Sequence, residues 1–216
     1  MRWAIGLLVL ATTAGTAEES RFSHKLHIKE VGLPCAACHS AVKTSTAETD
    51  DNLPASETCL ACHNGGEAPE IDVAWLDEHE AAERRFRFNH EFHLAMGNVA
   101  PIIAAAIESG DYLGHPPDYG DALNTTNACA ACHRGLNQAD VVDSKVHLPA
   151  MTDCLVCHNK VDNPFSCEQC HASDFQLKPA DHSRNFVDQH STGRMGFDKL
   201  TCQPCHGQKF TCMGCH

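Results

Sequence analysis

All 14 cysteines of this 216-residue chain fall into one repeated pattern, Cys-x-x-Cys-His, with none left over. The units are Cys35/Cys38/His39, Cys59/Cys62/His63, Cys129/Cys132/His133, Cys154/Cys157/His158, Cys167/Cys170/His171, Cys202/Cys205/His206 and, at the end of the chain, Cys212, Cys215 and His216. This is the spacing that attaches c-type haem: the two thiols form thioether bonds to the porphyrin vinyls, and the adjoining histidine is carried under the ring to the iron. A disulfide framework accounts for paired cysteines in an exported chain but not for the histidine after every pair. Zinc sites need a second ligand pair at a finger-like distance and do not require that histidine. A thioredoxin-like pair occurs once, in a βαβ setting that this pattern lacks. Seven covalently attached c-type haems, each with its iron, are expected.

The rest of the composition agrees. Only 6% of residues are aromatic, a weak inventory for a chain long enough to bury a core of its own. Strand signals are poor, and the pattern predicts short helices, often ending in the haem histidines, joined by loops. The expected fold is mainly α with extensive irregular loops, cored by haem, with little or no sheet. Arg2, the apolar run from Trp3 to Ala11 and the small residues Gly15-Thr16-Ala17 form a leader, so residues 1–17 are expected to be a signal peptide. As a membrane anchor, the run is about half the roughly 20 residues a span needs. Export to the periplasm, to the extracytoplasmic face of the membrane or to the cell exterior follows. The net charge of −12 disfavours nucleic acid as a partner. It serves solubility or steering toward basic patches on redox proteins.

Each haem iron has a sixth position, and its occupant separates carrier from catalyst. Nine histidines remain beyond the proximal seven: His24, His27, His79, His90, His93, His115, His147, His182 and His190. The phrase Phe22-Ser-His24-Lys-Leu-His27 precedes the first haem unit, and Phe88-Asn-His90-Glu-Phe-His93 precedes the third. Histidines three apart share a helix face, so one such segment can reach two haems. His147 stands before Cys154, and His182 and His190 before the last two units. These seven, His24, His27, His90, His93, His147, His182 and His190, are the expected distal ligands, leaving His79 and His115 surplus. Met96, Met151 and Met195 read as packing residues.

The segment from Phe88 to His171 resembles the class III cytochromes c, small tri- and tetrahaem carriers, in its Phe-x-His-x-x-His phrase, haem loop, later histidine and two closely spaced loops. The resemblance implies that His90 serves the haem at Cys129/Cys132, His93 that at Cys167/Cys170 and His147 that at Cys154/Cys157. Unlike the small carriers, the chain has a long insertion after His93, read as a short helix with a loop covering a haem edge in preference to a partner-docking surface, because an apolar helix turn packs inward. The expected organisation is a di-haem module at 18–66, an acidic linker or helix at 67–87, a class III-like tri-haem module at 88–175 with insertion 97–120, and a di-haem module at 176–216. In the first module His24 is expected at the haem of Cys35/Cys38 and His27 at that of Cys59/Cys62.

The leading functional reading is an electron carrier of low-spin, bis-histidine haems passing electrons between redox protein donors and acceptors, with no catalytic residues. Two alternatives stand beside it: the cytochrome subunit of a membrane quinone-oxidising or respiratory complex, and a self-assembling haem filament. A multihaem oxyanion reductase would need an open iron position, and none of the seven loops is variant.

Overall fold

The computed structural model describes residues 22–77, 86–116, 120–142, 144–159, 167–174, 177–179, 182–191 and 198–208. The expected leader 1–17, His79 and the side chain of His190 lie outside the described residues. So does the last haem unit: the expected attachment cysteines Cys212 and Cys215 and the expected iron ligand His216 are all beyond residue 208. Ten α-helices run along the described chain: α1 Cys35–Cys38, α2 Ser56–Leu60, α3 Ala74–Asp77, α4 His90–Ala95, α5 Ala100–Ser109, α6 Ala128–Cys132, α7 Ser144–His147, α8 Met151–Leu155, α9 Phe186–Ser191 and α10 Lys199–His206. Among the described residues there is no strand, only an isolated antiparallel bridge between Phe86 and His171. The described residues are helical without sheet, as the sequence predicts. None of the described helices is long and apolar enough to cross a membrane.

Helices this short do not sustain themselves in water, and local side chains fix their ends. Asn89 opens α4 by accepting from the Phe92 amide at 2.7 Å. Asn127 does the same for α6 through Cys129 N at 3.0 Å, and Asp198 for α10 through Leu200 N at 2.9 Å. Pro101 sits in the first turn of α5, where a missing N–H costs nothing.

The side-chain core is small. Among the described residues the buried apolar groups are Ala100, Ile103, Tyr112, Ala131, Ala139 and Leu155. A polar hub accompanies them: Arg134 and Asp153 form an ion pair with side chains only 5% and 3% exposed. Tyr112 joins it, its hydroxyl 2.6 Å from Thr152 Oγ1 and 3.1 Å from Asp153 Oδ1.

The insertion after His93 packs inward, as expected, and also reaches further along the chain. After α5 and Tyr112, the Gly114 amide donates to Gln203 Oε1 of α10 at 2.9 Å. Gln208 Nε2 donates back to Gly110 O at 2.6 Å. At the other end of the molecule, the segment Ser23–Lys29 leans on residues 138–140. Lys25 N donates to Ala139 O at 3.0 Å, Ser23 Oγ to Asp140 Oδ1 at 2.6 Å and Lys29 Nζ to Gln138 Oε1 at 3.2 Å.

Two expectations follow. With so few buried apolar groups, the chain produced without haem attachment is expected to show no cooperative thermal transition by circular dichroism, whereas the haem-loaded chain melts cooperatively. Gly110 and Gly114 both hold positive φ, +77° and +80°, so alanine at either costs about 1–2 kcal/mol in backbone strain. At Gly114 the new Cβ would also lie 3.3 Å from Leu200 O. Gly114→Ala is therefore expected to lower Tm more than Gly110→Ala, and equal losses would remove the close seating of the insertion on α10.

Candidate haem-binding site

Each described Cys-x-x-Cys-His unit is one helical turn. In five of them the histidine amide closes onto the carbonyl of the first cysteine: His39 to Cys35 at 2.9 Å, His63 to Cys59 at 2.9 Å, His133 to Cys129 at 2.8 Å, His158 to Cys154 at 2.9 Å and His171 to Cys167 at 2.9 Å. The sixth, Cys202/Cys205/His206, ends α10. The seventh, made of Cys212, Cys215 and His216, falls outside the described residues. Positions i, i+3 and i+4 of a turn share a face, so both sulfurs and the imidazole are presented together. None of the 12 described cysteines is in a disulfide.

Opposite these proximal histidines stand others. The ring centres of His24 and His39 are 6.3 Å apart with planes 8° from parallel. His27 and His63 are 6.2 Å apart, His93 and His158 6.3 Å, and His182 and His206 6.1 Å. Two imidazoles binding one metal from opposite sides, each nitrogen about 2 Å from it and each ring centre a further ~1 Å behind, place their ring centres roughly 6 Å apart. Four described pairs meet that spacing. Among the described residues no three His, Cys, Asp or Glu side chains converge on a metal-sized point, so imidazoles meet in twos, as a haem iron with four porphyrin nitrogens requires.

The ring orientations are set by backbone carbonyls. His27 Nδ1 donates to Ser23 O at 2.8 Å, His39 Nδ1 to Asn52 O at 2.9 Å, His63 Nδ1 to Pro69 O at 2.7 Å and His93 Nδ1 to Asn89 O at 2.7 Å. His133 Nδ1 donates to His147 O at 3.1 Å, and His147 Nδ1 to Arg134 O at 2.7 Å. A proton held on Nδ1 leaves the Nε2 lone pair for iron. Burial, then the neighbouring His39, His27 and His147, hold the His24 pKa below its ordinary value, which favours the neutral, ligating form.

Aromatic rings supply the second support, which sequence reasoning missed. Phe22 stacks on His27 at 4.5 Å and meets His24 edge-on at 4.8 Å. Phe88 repeats this with His93 at 4.4 Å and His90 at 4.7 Å. Phe186 stacks on His182 at 4.4 Å; its signal was an aromatic residue one helical turn after a histidine.

The opposed rings His24/His39 and His27/His63 are those expected. The arrangement for His93 differs: it faces His158, not His171. His147, expected at the Cys154/Cys157 site, has its ring held beside the Cys129–His133 loop through Arg134 O. The chain applies its own rule twice, since in each Phe-x-His-x-x-His phrase the second histidine reaches the second haem unit downstream. His171 lies in the bridge with Phe86, and Arg87 N donates to Cys170 O at 2.6 Å. His90 Nδ1 is 3.4 Å from Ser45 Oγ. Surplus His115 is exposed and bonded to Asp198, the N-cap of α10.

The attachment sulfurs are neighbours from unit to unit. Cys35 hydrogen-bonds Cys129; that bond, helped by the Asn127 amide, pulls the Cys35 thiol down to about 5, and the same bond together with burial pushes the Cys129 thiol up. Cys38 lies within electrostatic range of Cys59 and Cys62, Cys132 of Cys157, Cys154 of Cys170 and Cys205 of Cys167. The six described units thus form an unbroken series: 59/62, 35/38, 129/132, 154/157, 167/170, 202/205.

Residues 20–83 match the family model of cytochrome c7 and related cytochrome c. The chain is also 26% identical over 165 residues, 73% of its own length and 69% of the relative's, to the protein named menaquinone reductase, multihaem cytochrome c subunit, of Nitratidesulfovibrio vulgaris (strain Hildenborough). Both similarities are to multihaem c-type cytochromes. No solved structure matches it. The cytochrome c7 match lies ahead of residues 88–171, where sequence alone placed the resemblance. Both segments carry the phrase, but the first keeps its haem unit close behind while the second is split by the insertion. Cytochrome kinship implies covalent c-type haem, which the cysteine pattern accommodates.

In this cytochrome relative, His93→Met is expected to raise the potential of a single haem. A redox titration assigns it: the shifted component disappears when Cys154 and Cys157 are changed to serine and persists when Cys167 and Cys170 are. The reverse assignment would restore the class III-type pairing.

Proposed function

We propose that the chain is a heptahaem electron carrier whose irons are held between two histidines and whose haems, linked unit to unit, relay electrons between redox partners. The observation that supports it most directly is the set of opposed imidazoles 6.1–6.3 Å apart. Haem iron supplies reversible one-electron chemistry when bound. The residues of this chain do the rest. The paired cysteines would hold each haem, the carbonyl-anchored histidines of the four opposed pairs would ligate its iron and exclude substrate from it, and the run of attachment units would keep successive sites close. The seventh haem of this reading is the one that Cys212, Cys215 and His216 would hold.

The functional setting we infer is the electron-transfer subunit of a menaquinone-linked respiratory complex of the membrane, on the extracytoplasmic side after removal of the leader 1–17. The name of the N. vulgaris relative supports this reading over a freely diffusing carrier or a filament. A reductase of oxyanions is disfavoured by the filled axial positions of the four opposed pairs.

The test is made on the exported holoprotein. Its mass is expected to equal the leaderless chain plus seven haems, its EPR spectrum to be wholly low-spin, and, once reduced, it is expected to pass electrons to menaquinone only together with its membrane partner. A high-spin haem that binds nitrite or sulfite would replace the carrier reading with catalysis.

A further inference from the structure

Arg134 directly follows the haem histidine His133, and Asp153 directly precedes the haem cysteine Cys154. Their buried ion pair therefore fastens the end of one attachment loop to the start of the next. The guanidinium meets the carboxylate as a fork, Nη1 to Oδ2 at 2.9 Å and Nη2 to Oδ1 at 3.0 Å. Asp153 also accepts from Ala150 N at 2.8 Å and the Tyr112 hydroxyl at 3.1 Å. The Arg134 carbonyl accepts from His147 Nδ1, and the His147 carbonyl from His133 Nδ1. One short run thus carries a fixed charge and orients two imidazoles.

Holding two loops together does not require ions. Well-packed apolar residues of similar volume serve as well or better, because a buried pair loses its hydration. What an ion pair adds is two opposite charges held where water does not screen them. Those charges sit immediately beside the groups that would hold the two haems, Arg134 next to His133 and Asp153 next to Cys154.

We propose that Arg134 and Asp153 are positioning residues that set the reduction potentials of the haems attached at Cys129/Cys132 and Cys154/Cys157, by placing mutually cancelling charges between them while the Arg134 carbonyl orients His147. The proposal rests on the carrier reading above. With both charges present, the junction is neutral. Removing Arg134 leaves a carboxylate that favours ferric iron, and removing Asp153 leaves a guanidinium that favours ferrous iron.

The test uses the holoprotein and spectroelectrochemical titration, with haem content measured as the pyridine complex and spin state by EPR. At full haem load and unchanged spin state, Arg134→Gln is expected to lower the potentials of two components by about tenfold in the reduction equilibrium, or about 59 mV for one electron. Asp153→Asn is expected to raise them, and the double variant to return them close to the parent. A purely structural clamp moves both singles the same way or leaves potentials alone, and either result overturns the proposal. If a single variant does not accumulate, Tyr112→Phe carries the test. It takes one donor from the carboxylate, so a smaller downward shift is expected, and no shift overturns the proposal. If the parent itself lacks low-spin, redox-active haem, the carrier reading fails, which is a different result from unshifted variants of a competent carrier.

Discussion

The interaction on which this structure depends is the hydrogen bond from a histidine Nδ1 to a backbone carbonyl. A free imidazole has two tautomers and a rotating ring, and neither is compatible with a ligand that must aim one nitrogen along a fixed line. The carbonyls of Ser23, Asn52, Pro69, Asn89, Arg134 and His147 each remove that freedom. Much of the loop structure is understood as the means of putting those carbonyls in place. The turn from His63 to Pro69, for example, is shaped by Asn64, whose side chain accepts from the Gly66 and Glu67 amides. Gly65 there adopts φ +79°, a conformation that costs glycine nothing.

The construction is used twice. Residues 22–27 and 88–93 share a phenylalanine stacked on the second histidine, and in each that histidine donates to the carbonyl of the residue after the phenylalanine. The two copies do not form separate bodies. The first leans on residues 138–140, and Glu91 of the second donates to Ser45 O at 2.9 Å, behind the first haem unit. This crossing is why the spatial series of attachment sites departs from chain order at its start: Cys35 meets Cys129, while Cys59 and Cys62 lie beyond Cys38.

The sequence made legible what is carried by residue type. Cysteine and histidine at fixed spacing announce the attachment turns, and the repeated phrase announces a segment aimed at two sites. The helical, sheetless architecture followed from the same pattern. Backbone carbonyl acceptors leave no trace in residue type, so Asn52 and Pro69 could not be read as partners of His39 and His63. The ring that faces His93 is that of His158, whereas the class III resemblance pointed to the later loop at Cys167/Cys170, and no residue type in the segment marks the difference. Arg134 with Asp153, and His115 with Asp198, lie 19 and 83 residues apart, beyond any local periodicity, and only the folded chain brings them together.

That insertion also shows how a protein with few buried apolar side chains keeps its parts in register. Tyr112 bonds to Thr152 and Asp153 at the start of one attachment loop, and two residues later Gly114 bonds to Gln203 within another. A hydrogen bond contributes only about 0.5–1.5 kcal/mol net, whereas leaving a buried partner unmatched costs about 1–3 kcal/mol. Such contacts therefore act less as glue than as a penalty on every other arrangement. Dispersed apolar contact tolerates small slips between surfaces; a tyrosine hydroxyl seated on a carboxylate that already holds a guanidinium does not. Directional polar contacts fix the spacing between successive attachment loops more tightly than a larger apolar core would, and here the segment after α5 supplies them.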